Sequence, residues 1–98
     1  MELEKIYDGK ELTIIVKDSV DTVTAPDFEN AIIDEFDKFD SLIVDFKELE
    51  YISSAGLRVL VTVQKKLKPQ NIPFVIYVND NIREIFLMAG FDKILTLK

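Results

Sequence analysis

Two adjacent hydroxyls stand in the segment Tyr51-Ile52-Ser53-Ser54-Ala55-Gly56-Leu57-Arg58. They precede a stretch whose apolar residues recur at helical spacing, and the two smallest side chains, Ala55 and Gly56, follow them. The first four amides of a helix lack partners within it, and the helix dipole favours negative charge at that end. A phosphate on Ser54 would bring roughly −1.5 to −2 charges to a place where free amides can receive it. A smooth, neutral contact area would become a charged projection, and a partner packed on it would be repelled. One physical reading of the pair is therefore a phosphorylation site, at Ser54 or Ser53. A glycine in a first helical turn costs up to about 1 kcal/mol against alanine. Close approach of another molecule would justify that cost, so Ser53, Ser54, Ala55 and Gly56 form a candidate partner-binding surface. Two plainer readings stand beside this one: Ser53 is a helix N-cap, and Gly56 lets the helix lie close to a sheet.

Hydroxyl nucleophiles also serve hydrolases, but those need a base to activate them. The chain has no histidine and no cysteine, which removes the usual base, the usual zinc ligand and all thiolate chemistry. Ser53-Ser54-Ala55-Gly56 is not a Gly-x-Ser-x-Gly elbow, and no glycine-rich phosphate loop is present. Asp45 ends a strand-like run but lacks the companion acidic pair of an aspartyl-phosphate receiver. The acids Asp34, Glu35, Asp37 and Asp40 read as a solvated helix face rather than a metal site. No cofactor or metal is expected, and the protein is not expected to be an enzyme.

Positioning these residues falls to a chain of 98 residues, short enough for a single domain spanning residues 1–98. Apolar residues make up 48% of it, which is ample for one core and argues against disorder. The net charge of −6, from 18 acids and 12 bases, disfavours binding to nucleic acid or anionic lipid. No signal peptide is visible at Met1-Glu2-Leu3-Glu4-Lys5, and no run approaches a membrane span. A soluble cytoplasmic protein is expected.

The pattern predicts strands over Leu3–Tyr7 and Lys10–Lys17, joined by a two-residue Asp8-Gly9 turn. Asp18 to Val23 reads as a loop. A helix begins at Thr24, with Thr24 and Asp27 spaced as a capping box and Pro26 in the first turn. Its apolar stripe is Phe28, Ile32, Phe36 and Phe39. Ser41–Phe46 reads as a strand buried on both faces, and Lys47–Ile52 as a loop anchored by Leu49 and Ile52. The second helix starts near Ser53 or Ser54, with Leu57, Leu60, Val61, Gln64 and Leu67 inward and Lys65, Lys66 and Lys68 near its negative end. Pro73–Val78 is the next strand. Asn79 or Asp80 caps a helix over Asn81–Ala89, ended by Gly90 in a left-handed conformation. Ile94–Leu97 is a last strand. The expected fold is α/β with a mixed sheet and packed helices, in the order β-β-α-β-α-β-α-β.

The Ser53-Ser54-Ala55-Gly56-Leu57 stretch resembles the signature of the STAS domain family, Asp-Ser-(Ser/Thr/Ala)-Gly-Leu after a strand. Val20-Asp21-Thr22-Val23-Thr24-Ala25 resembles the family's Leu-Asp-x-x-Thr-Ala segment. Val44–Ile52 resembles the approach to the serine, and Asn81–Phe91 is similar to the family's third helix and the turn after it. The resemblance covers nearly the whole chain and is closest to the bacterial anti-sigma factor antagonists. It implies a partner switch. The unmodified domain binds a serine kinase that is also an anti-sigma factor, phosphorylation of Ser54 releases it, and a metal-dependent serine phosphatase resets the system. It also implies that Asp21 lies near Ser54 and shapes the docking surface, and that Arg58 is available to a partner; a loop acid and a plain surface charge are the alternatives. The free domain is expected to be a monomer. Three departures from the family pattern are Ser53 at the usual Asp position, Asp18 where glycine is common, and an end at Lys98 that leaves no room for the usual final helix. The rival function is a constitutive STAS docking subunit of a transporter or signalling complex, not phosphorylated.

Overall fold

The computed structural model describes residues 1–98. Strands β1 (Glu2–Asp8) and β2 (Glu11–Val20) form an antiparallel hairpin in which Asp8 faces Glu11. The two residues that turn the chain are thus Gly9 and Lys10, one step later than the expected Asp8-Gly9. Gly9 takes the positive φ of +60° at the first of these positions, as a type II′ hairpin turn requires.

β2 outruns its predicted length. Its first half pairs in parallel with β3 (Ser41–Phe46), and its last residues, Asp18–Val20, pair in parallel with β4 (Leu49–Ile52). The register shifts between Asp18 and Ser19, where Asp18 holds a left-handed φ of +70°. The segments expected as loops, Asp18–Val20 and Lys47–Ile52, are therefore largely sheet. β5 (Phe74–Val78) lies parallel to β3, and α2 (Ser54–Leu67) lies between them in sequence. The expected last strand shrinks to one parallel bridge, Ile76 to Leu97, after a short 3-10 turn at Phe91–Lys93. The sheet order is β1-β2-β3-β5, with β4 on β2.

Alternation decides where the core sits. Leu12, Ile14 and Val16 on β2, Leu42, Val44 and Phe46 on β3, and Phe74, Ile76 and Val78 on β5 are all buried. They meet Phe28 and Ile32 of α1 (Ala25–Ile33), Leu57, Leu60, Val63 and Leu67 of α2, and Ile82 and Phe86 of α3 (Asp80–Ala89). The rings of Phe28 and Phe46 sit 5.8 Å apart at 46°, a geometry worth about 1 kcal/mol beyond area burial. The intervening residues Thr13, Ile15, Ile43, Asp45, Val75 and Tyr77 stay half-exposed. Ser41–Phe46 is thus buried on one face, not both: the helices cover one side of the sheet and leave the other open. Cross-strand register lines up Ile6, Thr13, Ile43 and Val75 as one row on that open side.

α1 ends at Ile33, so Phe36 and Phe39 complete the predicted stripe from the turn beyond it. Glu35 in that turn accepts from Lys5 Nζ at 3.0 Å and Tyr7 Oη at 2.8 Å, which ties the exposed strand β1 to the body. On α2 the inward stripe runs through Val59, Leu60 and Val63 rather than Val61 and Gln64, which stay half-exposed.

Candidate functional site

Ser53 has extended backbone (φ −83°, ψ 170°) and is the N-cap of α2; its Oγ accepts from the Gly56 amide at 3.3 Å. Ser54 is the first helical residue, and its side chain is exposed. The first bond of the α-helical ladder runs from the Leu57 amide to the Ser53 carbonyl at 3.0 Å. The amides of Ser54 and Ala55 therefore point out of the helix end without helical acceptors. Two neighbouring hydroxyls thus have different work: Ser53 holds the helix start, and Ser54 faces outward.

The end of β2 lies against this corner. Val20 and Ile52 are paired, and the Ser53 amide donates to the Val20 carbonyl at 2.8 Å. Asp21 and Ser53 thus leave two adjacent strands side by side. The Asp21 carboxylate closes its own turn: Oδ1 accepts from the amides of Val23 and Thr24, both at 2.9 Å, and from Thr24 Oγ1 at 3.1 Å. Thr24 Oγ1 in turn accepts from the Asp21 amide at 2.9 Å. This is the reciprocal geometry of a capping box, formed by Asp21 and Thr24 rather than by the expected Thr24 and Asp27. Thr24 itself makes no side-chain cap to the helix. The Thr24 amide and then its hydroxyl hold the Asp21 carboxyl below its ordinary value.

Gly56 belongs to the interior. A Cβ there would come within 2.7 Å of Ile52 Cγ1 and 2.9 Å of Val20 Cγ1. The missing side chain is explained by α2 pressing on the β2–β4 pair, so the partner-contact reading of Gly56 gives way to the packing one. Ala55 is half-buried beside it, and Arg58 is exposed one turn further along.

Two exposed side chains on the same elements carry no signal in the sequence. Val23 is 82% exposed in the Asp21 turn, and Tyr51 is 51% exposed on β4. An apolar side chain in a polar turn carries no periodic signal, and Tyr51 lies on a four-residue strand without alternation. Asn79 is the expected cap of α3, and it also makes contacts that no local pattern announces. Its Oδ1 caps α3 by accepting from the Ile82 amide at 2.9 Å, and its Nδ2 donates to the carbonyls of Phe46, Lys47 and Leu49 at 3.3, 3.1 and 2.9 Å. One amide thereby fixes the β3–β4 turn to the start of α3. Of the acids Asp34, Glu35, Asp37 and Asp40, Glu35 is committed to Lys5 and Tyr7. The largest hollows, about 310 Å³ beside Gln64, Lys68 and Phe74 and about 300 Å³ beside Leu3, Ile15 and Lys17, lie away from Ser54. Ser54 itself lies on open surface, suited to contact with a macromolecule.

The sequence profile of the STAS domain matches residues 3–98. The chain belongs to the STAS domain family. Among curated proteins it is 35% identical over 77 residues to BtrV of Bordetella bronchiseptica, a protein assigned as an anti-sigma factor antagonist. That alignment takes in 76% of this chain and 66% of BtrV, just under two thirds of the relative's length. Among solved structures, an anti-sigma factor antagonist from Mycobacterium paratuberculosis superposes with a TM-score of 0.88 at 26% identity, covering 98% of this chain and 83% of that one. The Bacillus cell-fate determinant SpoIIAA matches in fold in both its unphosphorylated and phosphorylated forms. The TM-scores are 0.75 and 0.74 at 13% and 14% identity, covering 99% of this STAS domain and 86% and 89% of those chains.

Proposed function

We propose that this STAS domain is an anti-sigma factor antagonist that works by partner switching. Unmodified, it docks an anti-sigma factor with serine-kinase activity through the corner formed by the Asp21 turn, Ser54, Ala55 and Arg58. The kinase transfers the γ-phosphoryl group of ATP to Ser54 Oγ, ADP leaves, and the complex dissociates. A serine phosphatase hydrolyses the ester and restores the docking form. The domain itself supplies binding and a substrate hydroxyl, not catalysis.

The observation that carries this reading is the exposure of Ser54 at the first position of α2, in a chain similar to BtrV and to the Mycobacterium paratuberculosis protein, both anti-sigma factor antagonists. Ser53 is the poorer acceptor, because its half-buried Oγ already holds the Gly56 amide. A dianion on Ser54 stands outside the core, so it can change the surface without unfolding the domain. That SpoIIAA keeps one fold in both of its forms supports this point.

The test is to incubate the domain with ATP and a serine kinase encoded beside it, then weigh the intact protein. One added phosphate is expected, absent in Ser54→Ala and retained in Ser53→Ala. Ser54→Asp should bind the kinase roughly tenfold more weakly or worse, since like charge or an unmatched anion at a contact costs several kcal/mol. No added phosphate together with undiminished binding of Ser54→Asp would identify a constitutive docking subunit instead.

A further inference from the structure

Arg58 is an unpaired cation in a molecule with a surplus of acids. The chain carries a net charge of −6, yet α2, with the sequence SAGLRVLVTVQKKL, has no acidic residue. The ion pairs of the molecule join Lys5 to Glu35, Lys17 to Glu48 and Lys47 to Asp45, and none reaches Arg58. The other arginine, Arg83, donates to the Lys98 carbonyl at 3.0 Å. Ser54 and Arg58 are both exposed and stand four residues apart on one helix. That spacing places them on the same face, about 6 Å apart along the axis. Helical side chains lean toward the N-terminus, which puts Ser54 within reach of the long Arg58 side chain.

We propose that Arg58 is the built-in counter-charge for a phosphate on Ser54, folding back along α2 to pair with it. This rests on the reading of Ser54 as a phosphoacceptor. Guanidinium and phosphate form a two-pronged, charge-assisted pair, and no carboxylate on α2 competes for the arginine. Modification then alters the docking surface twice. It adds an anion at position 54, and it withdraws the cation that the unmodified surface offers at position 58. A partner that uses Arg58 loses that contact in the same event that brings repulsion.

The pairing can be measured without any kinase. Phosphoserine is incorporated at position 54 during translation of the full chain, and the phosphate is titrated by phosphorus NMR. A nearby cation favours the dianion and lowers its second pKa, which is otherwise near 6. Arg58→Gln should raise that pKa by roughly half a unit, and Arg58→Lys should give an intermediate value, because it keeps the charge and loses the fork. The shift should shrink as salt is added. Titration curves that coincide for all three proteins, or a lower pKa in Arg58→Gln, would overturn the role given to Arg58, whatever a kinase does. A clear shift combined with no kinase acting on Ser54 would leave the pairing standing and sink the regulatory reading alone. The substitutions are on an exposed position, so the core is untouched.

Discussion

At the scale of single residues, the site depends on side chains that each bind the backbone in one particular way. Asp21 accepts three hydrogen bonds on one oxygen to shape the turn beside Ser54, and these lower its pKa. The sign of the pH effect follows. Above the ordinary aspartate value of about 4 the carboxylate is ionised in both folded and unfolded chains, and its contribution to stability is complete. As pH falls below that value the unfolded chain takes up the proton first, and the contribution fades until the folded carboxyl is protonated too. Glu35 shifts in the same direction, held down by Lys5 and then by Tyr7. Denaturant midpoints measured between about pH 5 and pH 2 should therefore fall less steeply for Asp21→Asn than for wild type, since the amide can keep the turn bonds without titrating. Equal slopes would show that the bonds to Thr24 do not hold the carboxylate. Asp21 and Thr24 stand plainly in the sequence, but the same three-residue spacing from Thr24 to Asp27 is the one read as a capping box. Choosing between the two pairs needed the path of β2, which the left-handed Asp18 alters.

Elements explain why the glycine at the helix start matters. α2 crosses the paired ends of β2 and β4 so closely that Gly56 has no room for a methyl group against Val20 and Ile52. Both neighbours are almost fully buried, so neither yields easily. Gly56→Ala should gain up to about 1 kcal/mol of helix propensity but lose about 1–3 kcal/mol to overpacking. The net expectation is destabilisation, read as a lower urea midpoint at unchanged slope. A midpoint equal to or above wild type would mean the helix can lift off the sheet freely. Helix limits were legible where caps are local: Ser53 and Asn79 announce α2 and α3, and Gly90 ends α3 at φ +77°. β4 was not legible. Leu49-Glu50-Tyr51-Ile52 buries only its two ends, and four residues without alternation resemble an anchored loop. The last strand failed for the opposite reason: Ile94-Leu95-Thr96-Leu97 has strand composition, but a 3-10 turn precedes it and only Leu97 bridges to β5.

For the whole molecule, the α/β class and the order of the main elements could be read from spacing alone, while the one-sided burial of the sheet could not. Val- and Ile-rich runs look alike whether one face or two are covered, and only the neighbours decide. That uncovered face has a colloidal consequence. Ile6, Thr13, Ile43 and Val75 form a β-branched row open to water, with Glu4 and Asp45 in the next row. At neutral pH the surplus negative charge keeps such faces apart. Near the isoelectric point of about 4.6 that protection vanishes, and molecules should begin to stick by this side. Turbidity on acidification should be greatest there, weaker in Ile43→Thr, and reversed on returning to neutral pH; an Ile43→Thr curve identical to wild type would clear this face of blame. The same acidity that erodes the Asp21 turn would thus be met by precipitation before unfolding, which sets a practical floor on the buffers in which this domain can be purified and stored.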